Sequence, residues 1–246
     1  MGNTIISTGW APLSGVDDPV TLGRAFRPRS EFVRGDIIII EDHHRSAAAA
    51  IGNHLQPLIA AKDGRYTITV AGESGSGKSE TAAALAEVLE ERGARTAILQ
   101  QDDYFIHPPR TNHATRMADI GWVGTNEVRL DLLDEHLAAA TAGEESITKP
   151  LVLYADDVVT TETMSLRDLA VVIAEGTYTT LLDNVDTRIF IARNRLETMA
   201  ARRQRGREEM DPFIERVLEI EHEIIAPHRE RADIVISRDY EVELPG

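Results

Sequence analysis

Gly72-Glu73-Ser74-Gly75-Ser76-Gly77-Lys78-Ser79 matches G-x-x-x-x-G-K-[ST]. Glycines at such spacing let backbone N–H groups close on phosphate oxygens, and a helix beginning near Gly77 adds the positive end of its dipole. Lys78 is then placed to reach the β- and γ-phosphates of a nucleoside triphosphate such as ATP, and the Ser79 hydroxyl to ligate Mg²⁺. With Thr81, residues 72–79 make up the expected nucleotide site. A glycine-rich turn that binds nothing is the bland alternative, but Lys62, Lys78 and Lys149 are the only lysines beside 23 arginines, so a lysine here is a rare choice.

Acidic residues follow two apolar runs: Asp102 and Asp103 after 96–100, Glu175 and Gly176 after 169–174. Strand ends deliver side chains to the sheet edge where a phosphate loop opens, so these carboxylates are candidates for holding Mg²⁺ or for taking the proton of an attacking hydroxyl. Loop caps and a buried strand-end acid remain the structural alternatives. Arg193, Arg195, Arg202, Arg203, Arg205 and Arg207 crowd six arginines into fifteen residues. That run is either a solvated charged face or a lid, hinged at Gly206, that neutralises charge on a transferred phosphoryl group and excludes water. His107, Arg110, His113 and Arg116 punctuate the stretch after Asp102, suited to a phosphate or carboxylate on an acceptor, or equally to an ordinary polar loop. His43-His44-Arg45 shows no metal-ligand spacing and reads as structural.

The elements that must position these residues are legible as period and punctuation. Apolar strands are expected at 66–71, 96–100, 169–174, 187–192 and 233–237, and helices at 78–92, 129–142, 195–205 and 211–231, the last broken near Pro227. Alternation of this kind gives an α/β fold, a parallel sheet flanked by helices. Upstream, the β-branched run 37–40 reads as a buried strand, and Ser46 as the cap of a helix over 47–61 containing Gly52 and Pro57. Residues 1–62 are therefore expected to be an amino-terminal extension with a strand and a helix, and 63–246 a phosphate-loop domain, packed as one unit.

Composition bounds the class. The chain has 246 residues, 42% hydrophobic, and a formal charge of −15, a surface that repels nucleic acid and anionic lipid unless a local basic patch intervenes. It has no Cys, which removes disulfides and thiolate chemistry. No apolar run approaches the roughly 20 residues of a spanning helix, and the first residues lack the basic start and apolar run of a signal peptide. A cytoplasmic location is expected, with a small-molecule partner, no nucleic acid and no membrane; a homo-oligomer is compatible with the sequence. An Asn-Lys-x-Asp guanine reader and an LSGGQ-like signature are both absent, which leaves a small kinase.

Five segments in order carry a resemblance: GESGSGKS, LQQDDYF (99–105), VVIAEGTY (171–178), RRQRGR (202–207) and APHRERADIVI (226–236). Over about residues 66–238 the chain resembles the uridine kinase and phosphoribulokinase family. The resemblance implies ATP and Mg²⁺ as donor and cofactor, Asp102 as the base that takes the acceptor proton, and Arg203, Arg205 and Arg207 as lid residues. Asp103, Tyr154 and Tyr178 are expected on the acceptor side, with Tyr104 either packing or lining the acceptor pocket, beside His107, Arg110, His113 and Arg116. The histidine and arginine that uridine kinases carry after their P-x-Y-D segment are missing here, since 150–156 is followed by Asp157-Val-Val-Thr. A sugar phosphate or organic acid is thus expected before a nucleoside, with a catalytically slow nucleotide-binding regulator as the alternative from another class.

Overall fold

A computed structural model of the chain describes residues 38–194, 196–198 and 212–245. In chain order these give α1 (Asp42–Ala61), β1 (Tyr66–Gly72), α2 (Lys78–Glu91), β2 (Thr96–Gln100), α3 (Pro109–Ala118), α4 (Leu130–Thr141), β3 (Ser146–Leu153), β4 (Val158–Ser165), β5 (Val171–Glu175), β6 (Thr187–Ile191), α5 (Pro212–Ile225), β7 (Ile234–Ile236) and β8 (Val242–Glu243). The main sheet runs β2-β5-β1-β6-β7-β8, parallel except for β8 on the far edge. Each expected strand from β1 onward forms within two residues of its sequence-derived bounds.

Both faces of the sheet are covered, which is why β1 and β5 are buried at every position. In β5, Val171 and Ile173 face a core shared with Leu85 and Leu89 of α2, whereas Val172 and Ala174 face Leu133 and Leu137 of α4. Ala47, Ala48, Ile51 and Leu55 of α1 belong to the first of these cores, so the amino-terminal helix packs on the same sheet as the phosphate loop.

Two upstream expectations are corrected, and the expected break near Pro227 is located. Residues 38–40 form no strand, and Ile39 is 57% exposed. Among the described residues no strand pairs with this β-branched run, and the chain turns directly into α1. That helix starts at Asp42 behind Glu41, leaving Ser46 inside it. The long carboxyl-terminal helix ends at Ile225 and continues as a 3₁₀ turn through Arg231, as the proline at 227 requires. The expected helix at 195–205 lies outside the described residues.

The hairpin of β3 and β4 was not apparent from sequence. It stands apart from the main sheet and is fastened by Lys149, 4% exposed, whose Nζ donates to Asp103 Oδ2 at 2.5 Å, with Glu162 Oε1 at 3.2 Å. The second oxygen of Asp103 accepts the Val152 N–H at 3.0 Å. Removing the cation strands the buried Asp103 carboxylate, a loss of about 3–5 kcal/mol for a pair of this kind. Lys149→Met should therefore lower the urea midpoint sharply, whereas Arg167→Met, which breaks the exposed pair with Glu145, should leave it nearly unchanged. Equal effects of the two substitutions would show that the hairpin is not anchored through Lys149.

Candidate active site

The carboxyl ends of β1, β2 and β5 converge because β5 lies between the other two, with Glu175 in register with Val70 on one side and Gln100 on the other. The phosphate loop leaves β1 on this edge and enters α2 through Gly77, which has φ +95° and caps the helix. Lys78 hooks back over the loop, its Nζ donating to Glu73 O at 3.0 Å. The hydroxyls of Ser76 and Thr81 are buried with no hydrogen-bond partner. Buried polar atoms are seldom left so.

Ser79 Oγ donates to Glu175 Oε1 at 3.2 Å. Glu175 is 4% exposed, and burial, reinforced by the charge of Asp102, raises its pKa to about 7 despite the opposing pull of Lys78 and the Ser79 hydrogen bond. A buried carboxylate with a second one close by and a hydroxyl in contact is an all-oxygen donor set, which suits a hard divalent cation such as Mg²⁺. Ser79, Glu175 and Asp102 are the residues that would hold it. Behind them, Gln101 ties β2 to β5: its Oε1 accepts the Tyr178 N–H at 2.7 Å, and its Cβ would lie 2.2 Å from a Cβ on Gly176, so only glycine fits there.

Asp102 emerges on a 3₁₀ turn (Gln101–Tyr104) and lines a cleft of about 340 Å³ together with Ser74 and Thr177. His107, His113, Arg116 and Tyr154 line the same cleft. The stretch after Asp102 is not a plain loop, because 109–118 form α3, with Pro109 at its first turn. Other expected acceptor residues lie elsewhere. Asp103 points away from Asp102 into the hairpin anchor, and Tyr104 is fully buried, with its hydroxyl 2.8 Å from His136 Nδ1. Arg110 holds the hairpin turn, its N–H donating to Asp157 Oδ1 at 2.7 Å and its Nη2 to Ala155 O at 2.8 Å. Tyr178 is 1% exposed, beneath the cleft rather than on it. Arg195, Arg202, Arg203, Arg205 and Arg207 lie outside the described residues.

Arg116 is the cleft's guanidinium, and its charge is already matched. Nε and Nη2 make 2.7 Å bonds to the two oxygens of Glu127, which is 0% exposed, and Nη2 lies 3.2 Å from Glu221 Oε1. Burial alone would lower the Arg116 pKa, but these bonds and charges outweigh it and raise it, so the cation is fixed. Asn112 Nδ2 adds a third bond to Glu127 at 2.8 Å. Glu127 and Glu221 were missed from sequence. Glu221 had a signal: it falls on the stripe formed by Ile214, Val217, Leu218 and Ile225 of α5, where a carboxylate needs a partner. Glu127 had none, since its burial comes from a tertiary turn. His222, next on α5, contacts the phosphate loop, with Nδ1 2.6 Å from Glu73 Oε1.

A phosphate loop at the edge of a parallel sheet in the order 2-5-1-6-7, with two carboxylates beside it, defines a P-loop α/β protein of the kinase type. Residues 67–245 match the model of the phosphoribulokinase / uridine kinase family, and the chain belongs to that family. Among curated proteins it is 31% identical over 191 residues to the bifunctional alpha-galactosidase/sucrose kinase AgaSK of Mediterraneibacter gnavus, covering 72% of this chain. The chain spans 20% of that relative's length. Similar solved structures include one described as a fructose transport system kinase from Silicibacter sp. TM1040, with 20% identity, a TM-score of 0.56, and 75% of this chain and 94% of that one covered. D-glycerate 3-kinase from Cryptococcus neoformans matches with 12% identity, a TM-score of 0.54, and coverage of 83% and 99%. At those identities the structures carry the fold alone. No helix among the described residues is long and apolar enough to cross a membrane.

Glu175 supplies a test independent of turnover. An acid whose folded pKa is raised from 4.5 to about 7 binds more protons folded than unfolded between those values, so it weakens the fold as pH rises through that window. The penalty is absent below the unfolded pKa and complete above about 7. Without divalent cations, Glu175→Gln should stabilise the protein at pH 8, on the order of 2–3 kcal/mol, and hardly at all near pH 4.5. The same variant should lose Mg²⁺-dependent nucleotide binding. A melting-temperature gain independent of pH would refute the assignment of a strained carboxylate.

Proposed function

We propose that this chain transfers the γ-phosphoryl group of ATP to a hydroxyl of a neutral, polyhydroxylated acceptor of the sugar class. The observation that carries the acceptor class is the double pairing of Arg116 with Glu127 and Glu221. An anionic acceptor entering the cleft would meet Asp102 and Glu221 with no unmatched guanidinium to receive it among the described residues. Sugar hydroxyls, by contrast, can donate to the carboxylates and exchange hydrogen bonds with His107, His113 and Tyr154. A phosphate- or carboxylate-bearing acceptor, for which His107, Arg110, His113 and Arg116 were the candidates, is disfavoured in this reading because Arg110 holds a turn and Arg116 is ion-paired. The curated relative bears sucrose kinase in its name, in keeping with an uncharged acceptor.

The residues divide the work of transfer. The loop's N–H groups and Lys78 hold the donor phosphates, and Mg²⁺, when bound, neutralises charge across them. Asp102 orients the acceptor hydroxyl and takes its proton as the new O–P bond forms and the bond from phosphorus to the leaving ADP oxygen breaks. Ser74 and Thr177 line the same cleft as Asp102.

A coupled assay of ADP release with free saccharides, sugar phosphates, hydroxy acids and nucleosides tests this reading. Release should depend on added free saccharide, with kcat/KM at least tenfold above any anionic acceptor. Asp102→Asn should lower kcat by about 10² to 10³ while ATP affinity stays within twofold. Turnover only with phosphorylated or carboxylated acceptors would overturn the neutral class, and nucleotide binding without release in any arm would overturn the kinase reading.

A further inference from the structure

Tyr240 lies in the turn between β7 and β8 with φ +64°, a left-handed conformation that side chains seldom adopt. Ser237 Oγ holds the turn by accepting the N–H groups of Asp239 at 3.2 Å and Glu241 at 3.1 Å. The ring is thereby carried to the phosphate loop, where the Tyr240 hydroxyl donates to Ser76 O at 2.7 Å. Two further groups reach the Tyr240 hydroxyl oxygen, His44 Nε2 at 3.1 Å and Arg193 Nη1 at 3.3 Å. The direction of each bond follows. Glu41 N–H donates to His44 Nδ1 at 3.1 Å, so Nδ1 is the acceptor nitrogen and the proton sits on Nε2, which donates to Tyr240. A phenol has one proton and two lone pairs, and all three are used.

We propose that Tyr240 is a positioning residue of the phosphate loop, and that His44 of α1, outside the family-matched span, fixes it in place. The Ser76 carbonyl and the Gly77 N–H belong to one planar trans peptide and point in opposite directions. Holding the carbonyl on the Tyr240 side aims the Gly77 N–H to the other face of the loop and prevents a peptide flip that would set a carbonyl dipole against a phosphate. The approach is close enough to exclude a side chain: a Cβ on Gly77 would lie 2.1 Å from Tyr240 Oη and 3.0 Å from His44 Nε2. The His43 ring, 4.1 Å from that of Tyr240, and the Arg193 guanidinium, 5.2 Å from its centroid, enclose the phenol on its remaining sides.

The inference rests on the loop binding nucleotide, so the experiment measures MgADP binding by calorimetry on the full chain. Tyr240→Phe keeps the ring and removes the hydroxyl, and should weaken MgADP about fivefold, the equivalent of ~1 kcal/mol. His44→Ala should weaken it to a similar degree. His44→Gln, whose amide can donate from nearly the same place, should recover at least half of the loss. The double variant Tyr240→Phe with His44→Ala should bind no more weakly than Tyr240→Phe alone, because the two act in series, and melting temperatures without ligand should stay within a few degrees. Tyr240→Phe within twofold of the unaltered protein overturns the inference, as do additive losses or a failure of His44→Gln to rescue. If the unaltered protein does not bind MgADP, the proposed function falls as well; unaltered binding with an indifferent Tyr240→Phe overturns the positioning role alone.

Discussion

Parallel pairing of β5 with β1 on one side and β2 on the other is the constraint on which the site depends. It aligns Val70, Gln100 and Glu175 across one sheet edge, so the start of the phosphate loop, the turn carrying Asp102 and the buried carboxylate emerge together. Parallel strands need crossover helices, and burying both sheet faces beneath those helices makes the edge dry. The raised pKa of Glu175 follows directly: a carboxylate taken out of water beside another carboxylate is costly until a cation joins it. Fold and electrostatics are here one arrangement.

The loop and the strand ends were legible in the sequence because their requirements are local. Glycines at 72, 75 and 77 are demanded by backbone conformation within eight residues, and a carboxylate directly after an apolar strand has only one edge to emerge from. What could not be read depended on direction or on distant partners. Asp102 and Asp103 are neighbours on a 3₁₀ turn, so one faces the cleft and the other the hairpin, and nothing in the dipeptide says which. Arg116 is paired with residues 11 and 105 positions away, which turned an apparent anion receptor into a neutralised group. The run at 37–40 failed for the converse reason, since its local propensity is strong but, among the described residues, no strand pairs with 38–40.

Charge is partitioned accordingly. The formal −15 of the whole chain does not describe either half of the site. On the donor side, Lys78 and the loop N–H groups make a small positive field suited to a chelated polyphosphate. On the acceptor side, Arg116 serves to bury Glu127 and restrain Glu221, leaving a cleft rich in hydrogen-bonding groups but with no surplus cation among its described residues. Such a division suits the proposed uncharged acceptor next to a highly charged donor.

The helix α1 belongs to this partition although the family match begins after it. Its apolar face completes the core beneath α2 and the sheet, and its first turn supplies His44 to the tyrosine that contacts the loop carbonyl. A cut near residue 62 would divide a shared core and that hydrogen-bond chain. The positive φ of Tyr240 and the glycine at 77 make sense only together with α1: one is a strained turn residue whose hydroxyl must reach the loop, the other the position emptied so that it can. The amino-terminal helix thus bears on phosphate binding through packing and a single phenol, without itself contributing a ligand.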